Sequence, residues 1–255
     1  NRFRIIEMIP KRIFFTHEDK SRIIDDILKE WMQHNPDFTF HFFNSDQRAT
    51  FIKKHYPDYF KYYVSTNKHY GALRADIWRY LVIYHYGGVY IDHKVRILKP
   101  ISQTLDLNAE MCVSYKGNKR SLYTKIKNWF SEEELIQYCF AAEKNSKHLK
   151  QVIDLMLDRL KQQSYFIQKP CKYFLYPGTG NSGVYGVFYT TGPLMFTDAL
   201  KGSFDKIKLY NNEFDATIEY PLLKTCSVGK DSCWHYITLH MSAKSYHFST
   251  EKIFI

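Results

Sequence analysis

Residues 72–95 read "ALRADIWRYLVIYHYGGVYIDHKV". Leu73, Ile77, Tyr80 or Leu81, and Tyr84 recur at helical spacing and give a core stripe over 70–86. Ala72, Asp76, Arg79 and Ile83 form a second line on that helix, and it carries the charges expected to face inward. Gly87-Gly88 ends the helix, one glycine supplying a left-handed cap. Val89 to Asp92 then reads as a short buried strand whose carboxyl end carries Asp92. In open α/β sheets ligands sit beyond the carboxyl ends of strands, so this acid occupies a privileged place.

Working outward, the same alternation of periods continues. "IIEMIPKRIFF" (5–15) predicts a first strand beginning after Pro10, and the stretch "SRIIDDILKEWMQHNPDF" (21–38) holds a helix with Ser21 as N-cap that Pro36 ends. "FTFHFF" (38–43) alternates like a strand, and Asn44-Ser45-Asp46 caps a helix over 46–55. The opening third is therefore β-α-β-α, the pattern of a parallel sheet with crossover helices. Further on, 131–143 and 146–161 read as helices, and 176–193 as a glycine-rich loop region. Thr191 opens a helix ending at Gly202, and "KIKLY" (206–210) is a strand. Without repeats, low-complexity tracts or linkers, the chain reads as one domain over 1–255.

The 255 residues are 45% hydrophobic and 24% charged, with a formal net charge of +10. That excess favours anionic partners, a phosphorylated small molecule or an anionic membrane surface at the periphery. Nucleic acid is not expected, since no zinc knuckle, helix-turn-helix or RNP-like box occurs. No run of about 18 apolar residues is present, and Asn1 to Arg12 lacks the apolar core of a signal peptide. A cytoplasmic or membrane-associated site is expected, the secretory lumen only if an anchor was trimmed. Five cysteines without a CxxC pattern read as buried thiols, with Cys226 and Cys233 the pair best placed to bond.

Arg74-Ala75-Asp76, Arg79-Tyr80, Tyr84, Gly87-Gly88 and Tyr90-x-Asp92 stand together at fixed spacing. This combination resembles the DXD-containing sugar-binding region of family 32 retaining glycosyltransferases. "IPKRIFFTHE" (9–18), "NPDFTFHFFN" (35–44), "TTGP" (190–193) and a closing His240…Ser245-Tyr246 extend the likeness more thinly. The resemblance implies a GT-A-like α/β fold with a mixed, mostly parallel central sheet flanked by helices. About 1–100 would bind the nucleotide sugar and about 101–255 face the acceptor. It implies transfer of a hexose from a UDP- or GDP-sugar to a hydroxyl of a glycan or glycoconjugate, with retention. The alternative is a catalytically silent nucleotide- or glycan-binding module of the same fold.

The resemblance also assigns residues. Asp76 and Arg79, three apart on one helix face, become ligands of sugar hydroxyls, against a plain intrahelical ion pair. Phe15, Thr16 and His17 would line the base pocket, with Phe14 and Phe15 alternatively core residues. Arg74, Gly88, Tyr90, Lys244, Ser245 and Tyr246 complete the donor side, Arg74 alternatively contacting a neighbouring loop. In the family the last acid of the DXD binds Mn²⁺ or Mg²⁺, but here that position is Lys94. A lysine cannot ligate a hard cation. It can set a fixed positive charge against a diphosphate. Metal dependence is thus expected to be reduced or absent, and Asp92 and His240 are the ligands if metal binds. His93 is expected to face away from Asp92, and Trp31 and Trp78 to be core.

Overall fold

The computed structural model describes residues 9–19, 25–67, 70–115, 134–162, 183–211, 214–215 and 217–219. In chain order its elements are β1 Arg12–Thr16, α1 Asp25–His34, β2 Thr39–Phe43, α2 Ser45–His55, α3 Pro57–Ser65 and α4 Gly71–Tyr86. Then come β3 Gly88–Ile91, β4 Arg96–Ile97, α5 Ile101–Thr104, β5 Met111–Ser114 and β6 Cys139–Ala142. The series closes with α6 Lys147–Lys161, α7 Gly183–Thr190, α8 Pro193–Leu200, β7 Lys208–Tyr210 and β8 Ile218–Glu219.

Six strands form one mixed sheet in the order β2-β1-β3-β6-β5-β7, and β4 and β8 pair apart from it. The pairs β1–β2, β1–β3 and β5–β7 are parallel, while β6 runs antiparallel to both β3 and β5. Strand alternation divides the core between the two faces. Phe14, Tyr90, Phe140 and Ala142 point into a cluster with α2, α4, α6 and α8. Ile13, Phe15, Val89, Ile91 and Ala141 point the other way, against Ile27 and Trp31 of α1. A period of two along each strand makes that division obligatory.

β1 is flanked by β2 on one side and β3 on the other, so the chain reverses direction across the sheet at β1. The reversal opens a crevice at the carboxyl ends of β1 and β3. Their register, Ile13 with Val89 and Phe14 with Tyr90, brings those ends out level.

Several expectations meet the structure directly. Asn44 caps α2 through a full capping box, its side chain accepting from the Gln47 amide at 2.9 Å while Gln47 answers the Asn44 amide. Ser146 caps α6, accepting from the Leu149 amide. Trp31 and Trp78 are fully buried. α4 is more enclosed than a two-line pattern implies: Leu73 and every residue from Asp76 to Ile83 are buried, because the helix lies between sheet and helices.

Two readings are corrected. The segment expected as a helix over 131–143 carries β6 at 139–142, because Phe140 and Ala142 fill one face and Cys139 and Ala141 the other. The stretch expected as a glycine-rich loop contains α7, which packs against α8. Gly192 permits that packing: a Cβ there would stand 2.6 Å from the Phe188 Cα. Cys112 and Cys139 are free and buried; Cys226 and Cys233 lie outside the described residues.

Candidate functional site

The helix α4 and the strand β3 are consecutive, and the bend between them sets the site. Gly87 takes φ +67° and Gly88 φ +121°. A Cβ on Gly88 would meet the Arg12 carbonyl oxygen at 2.7 Å, and one on Gly87 would meet Pro10 and the Lys144 amide at 2.8 Å. Only glycine combines that backbone with that closeness. Both glycines therefore serve the bend, which turns β3 back beneath α4.

Asp76 and Arg79 face the end of β3 from α4. The Arg79 guanidinium lies 3.0 Å from Asp76 Oδ1 and 3.3 Å from Asp92 Oδ1. It donates to the Gln137 carbonyl at 2.9 Å and sits 4.5 Å above the centre of the Tyr90 ring. Asp76 is 2% exposed and Arg79 5% exposed, so this is a desolvated cluster and no surface pair. Tyr90 and Asp92, two apart, share a face of the strand, and the Tyr90 hydroxyl donates to Asp92 Oδ1 at 2.6 Å. Thr191, just after α7, donates from its hydroxyl to Asp76 Oδ2 at 2.8 Å. Tyr80 reaches the Gln137 side chain and the Thr191 carbonyl.

Burial raises the Asp76 carboxyl from 3.8 to about 7, with Arg79 and the Thr191 hydroxyl opposing the rise. The same carboxylates hold Arg79 firmly protonated against its own burial. Burial pushes the Tyr80 and Tyr90 phenols up, so both stay neutral hydrogen-bond donors. Gln137 carries no expectation from the sequence, and Thr191 only that of opening a helix and belonging to "TTGP" (190–193). Gln137 reaches the cluster through its main-chain carbonyl, which accepts from Arg79, and through its side chain, which accepts from Tyr80, contacts that leave no spacing pattern in the sequence.

Asp92 stands in partial contact with solvent just past β3. Its amide is held by the Tyr138 carbonyl at 2.8 Å, and the Val95 amide returns to its carbonyl at 2.9 Å. Asp92-His93-Lys94-Val95 is thus a closed β-turn with His93 and Lys94 at its centre. The Val95 carbonyl in turn accepts from Trp31 Nε1 at 2.7 Å, which fixes the turn to α1. His93 lies beside Phe15, Ile27, Leu28 and Trp31, on the side away from α4. Lys94 is half-buried; burial lowers its ammonium and Asp92 opposes that.

Across the crevice, Phe15 is buried against Trp31 and Phe42. Phe14 is equally buried, against the opposite cluster. The Thr16 hydroxyl donates to the Phe43 carbonyl at 2.5 Å and accepts from buried Arg48 at 2.6 Å. Arg48 also pairs with Glu18 at 2.6 Å, tying the chain after β1 to α2. His17 remains at the rim, its ring 4.6 Å from that of His93. Arg74 donates to the Thr66 carbonyl at 2.5 Å and lies over Tyr63, so it braces the loop before α4. His240, Lys244, Ser245 and Tyr246 lie outside the described residues.

Residues 22–113 match the family model described as "Glycosyltransferase sugar-binding region containing DXD motif". Among curated proteins, the chain is 34% identical over 96 residues to a mannosyl phosphorylinositol ceramide synthase of Saccharomyces cerevisiae, covering 34% of this chain and 23% of the relative. It is 27% identical over 187 residues to the initiation-specific alpha-1,6-mannosyltransferase of Candida albicans, covering 67% and 45%. The chain thus spans less than half the length of either relative.

Among solved structures, the PaToxG glycosyltransferase superposes with a TM-score of 0.54 at 16% identity, covering 78% of this chain and 71% of that one. The glycosyltransferase domain of the YGT toxin gives 0.53 at 9% identity, covering 81% and 80%. At such identities the structural likeness speaks for a GT-A-like fold alone. The family match and the mannosyltransferase relatives support a glycosyltransferase.

Proposed function

We propose, for a chain whose α4–β3 region is that of the DXD glycosyltransferases, that it transfers a hexose from a UDP- or GDP-sugar to a hydroxyl of a glycan or glycoconjugate, with retention. The observation that carries this reading is the buried Asp76–Arg79–Asp92 cluster at the carboxyl end of β3, beside the crevice where ligands of such sheets bind. An ion pair kept only for stability would be an expensive choice in so dry a place. A sugar offers hydroxyls that both donate to a carboxylate and accept from a guanidinium. Among the described residues the buried Arg79 Nε has no partner, a donor available to such a hydroxyl.

On this reading Asp76 and Arg79 hold the sugar, Asp92 stands at the diphosphate side, and His17 borders the base. Gly88 contributes its backbone bend, while Thr16 and Arg48 hold the strand end that carries His17. In the transfer, the bond from the anomeric carbon to the diphosphate oxygen breaks, and its electron pair leaves with the nucleoside diphosphate. The acceptor oxygen bonds to the anomeric carbon on the same face, and the departing diphosphate oxygen takes the acceptor's proton. Asp76 is unsuited to be a covalent nucleophile, because Arg79 and Thr191 already engage its two oxygens. The names of the relatives make mannose the first sugar to test, alongside glucose and galactose.

Incubation with a panel of UDP- and GDP-hexoses, read by mass spectrometry for released nucleotide and glycosylated acceptor, tests the reading. Asp92→Ala and Asp76→Asn should abolish turnover with the far-ultraviolet dichroism unchanged. Undiminished turnover in either variant removes the site. Lys94, standing where the family has an acid, favours a second reading, a silent nucleotide-binding module. Nucleotide binding without turnover on any donor would select it.

A further inference from the structure

The acids of a DXD motif suit a hard divalent cation, and the side chains placed here do not. Among the described residues no three His, Cys, Asp or Glu side chains gather closely enough to hold a metal ion. Asp92 Oδ1 already accepts the Tyr90 hydroxyl at 2.6 Å and faces Arg79 at 3.3 Å. Both oxygens of Asp76 are engaged within the cluster. At the third position of the motif an ammonium stands where a Mg²⁺- or Mn²⁺-type ion would need an oxygen.

The turn that presents this position is nonetheless built firmly. Tyr138 holds the Asp92 amide, Val95 closes back on Asp92, and Trp31 holds the Val95 carbonyl. Lys94 is carried at the centre of that turn, half-buried, and among the described residues it makes no ion pair within 4.0 Å, although the Asp92 charge acts on it. The charge balance explains what the exchange does. With both acids ionised, Asp76 and Asp92 are matched by Arg79 and Lys94, and the cluster is neutral. An acid at position 94 would leave it two units negative, the charge that one divalent cation cancels.

We propose that Lys94 is the diphosphate-binding cation of this site, taking by a fixed ammonium the place that the motif's metal ion takes elsewhere. The inference rests on the nucleotide-sugar reading above. An ammonium against the diphosphate attracts it in the ground state and more strongly as the departing oxygen gains charge. It does so without a metal and without the motif's last acid.

Calorimetric titration of the 255-residue chain with UDP, GDP, UMP and GMP, in EDTA and in Mn²⁺, tests this. The native chain should bind one diphosphate with the same affinity in both buffers. Lys94→Met should weaken that diphosphate tenfold or more in both, and the matching monophosphate far less. Lys94→Asp should lose the diphosphate in EDTA and regain it in Mn²⁺. Thermal melting confirms folding, and Lys94→Gln replaces Lys94→Met should the latter melt early. A native chain that binds the diphosphate only with Mn²⁺, or a lysine variant that binds it unchanged, overturns the role of Lys94 and leaves the transferase reading standing. Failure of both diphosphates in both buffers overturns the nucleotide-sugar reading, and this inference with it.

Discussion

Arg79 on α4 reaches Asp92 beyond β3 at 3.3 Å, although about two turns of helix, a glycine pair and a strand separate them in sequence. The same guanidinium holds Asp76 at 3.0 Å and lies over Tyr90. One cation thereby bridges two acids and clamps the helix to the end of the strand. Truncating it leaves Asp76 buried with no countercharge. Arg79→Met should cost about 3–5 kcal/mol of unfolding free energy. Arg79→Lys should cost less, since a point charge remains but the fork reaching Gln137 is lost. Urea unfolding of the three proteins checks the order.

The Asp76 carboxyl gives a pH signature with a definite sign. Its folded value of about 7 lies above the ordinary 3.8, so the folded chain keeps a proton that the unfolded chain releases. The contribution is fully present below about pH 4 and is lost as pH rises through about 7. His41 and His85, both lowered by burial, act in the opposite sense, so the native curve alone does not isolate it. Against Asp76→Asn, however, native stability should fall by up to about 1.4 kcal/mol per pH unit between pH 5 and 7. Parallel stability curves for the two proteins would place the carboxyl at its ordinary value.

Thr191 tunes the same carboxyl. Its hydroxyl donates to the ionised form, and Thr191→Val removes that donor while keeping the shape. The Asp76 carboxyl should then rise further, and any activity that needs the carboxylate should move its acid limb to higher pH. The pH profile of turnover in the variant reads this. An unmoved limb would mean that another group sets it.

How much of this was legible beforehand depends on where the determinant lies. The β-α-β-α opening, the capping of α2 by Asn44 and the juxtaposition of Asp76 with Arg79 are local, so periodicity and spacing reveal them. β6 is set by partners: four residues sandwiched between β3 and β5 must be apolar on both faces, and such a run has no strand period to read. Thr191 and Gln137 enter the cluster from more than fifty residues away, through a hydroxyl and a main-chain carbonyl. Thr16 illustrates the reverse. It stands at a strand end where a ligand contact was expected, and buried Arg48 and the Phe43 carbonyl occupy its hydroxyl.

Gly88 should tolerate no side chain. Its φ of +121° is strained for any L-residue, and a Cβ would press on the Arg12 carbonyl at 2.7 Å, backbone that β1 pairing holds in place. Gly88→Ala should cost upwards of about 2 kcal/mol, combining backbone strain with the clash. A native melting temperature in this variant would show that β1 and β3 can part without cost.

A core residue on α1 also acts on the site. Trp31 is 1% exposed on α1, and its indole donates to the Val95 carbonyl that ends the turn bearing Asp92 and Lys94. Trp31→Phe keeps most of the ring packing against Phe15 while leaving that carbonyl without its donor. The unsatisfied group should cost about 1–3 kcal/mol. The turn, freed at one end, should present Lys94 less steadily, so the affinity for a nucleoside diphosphate should fall together with stability. Ile27→Val offers the comparison, since it thins the same cluster and leaves the indole's hydrogen bond to the Val95 carbonyl in place. If both variants lose stability and only Trp31→Phe loses nucleotide affinity, the indole's hydrogen bond positions the turn. Equal affinity in the two would assign Trp31 to packing alone.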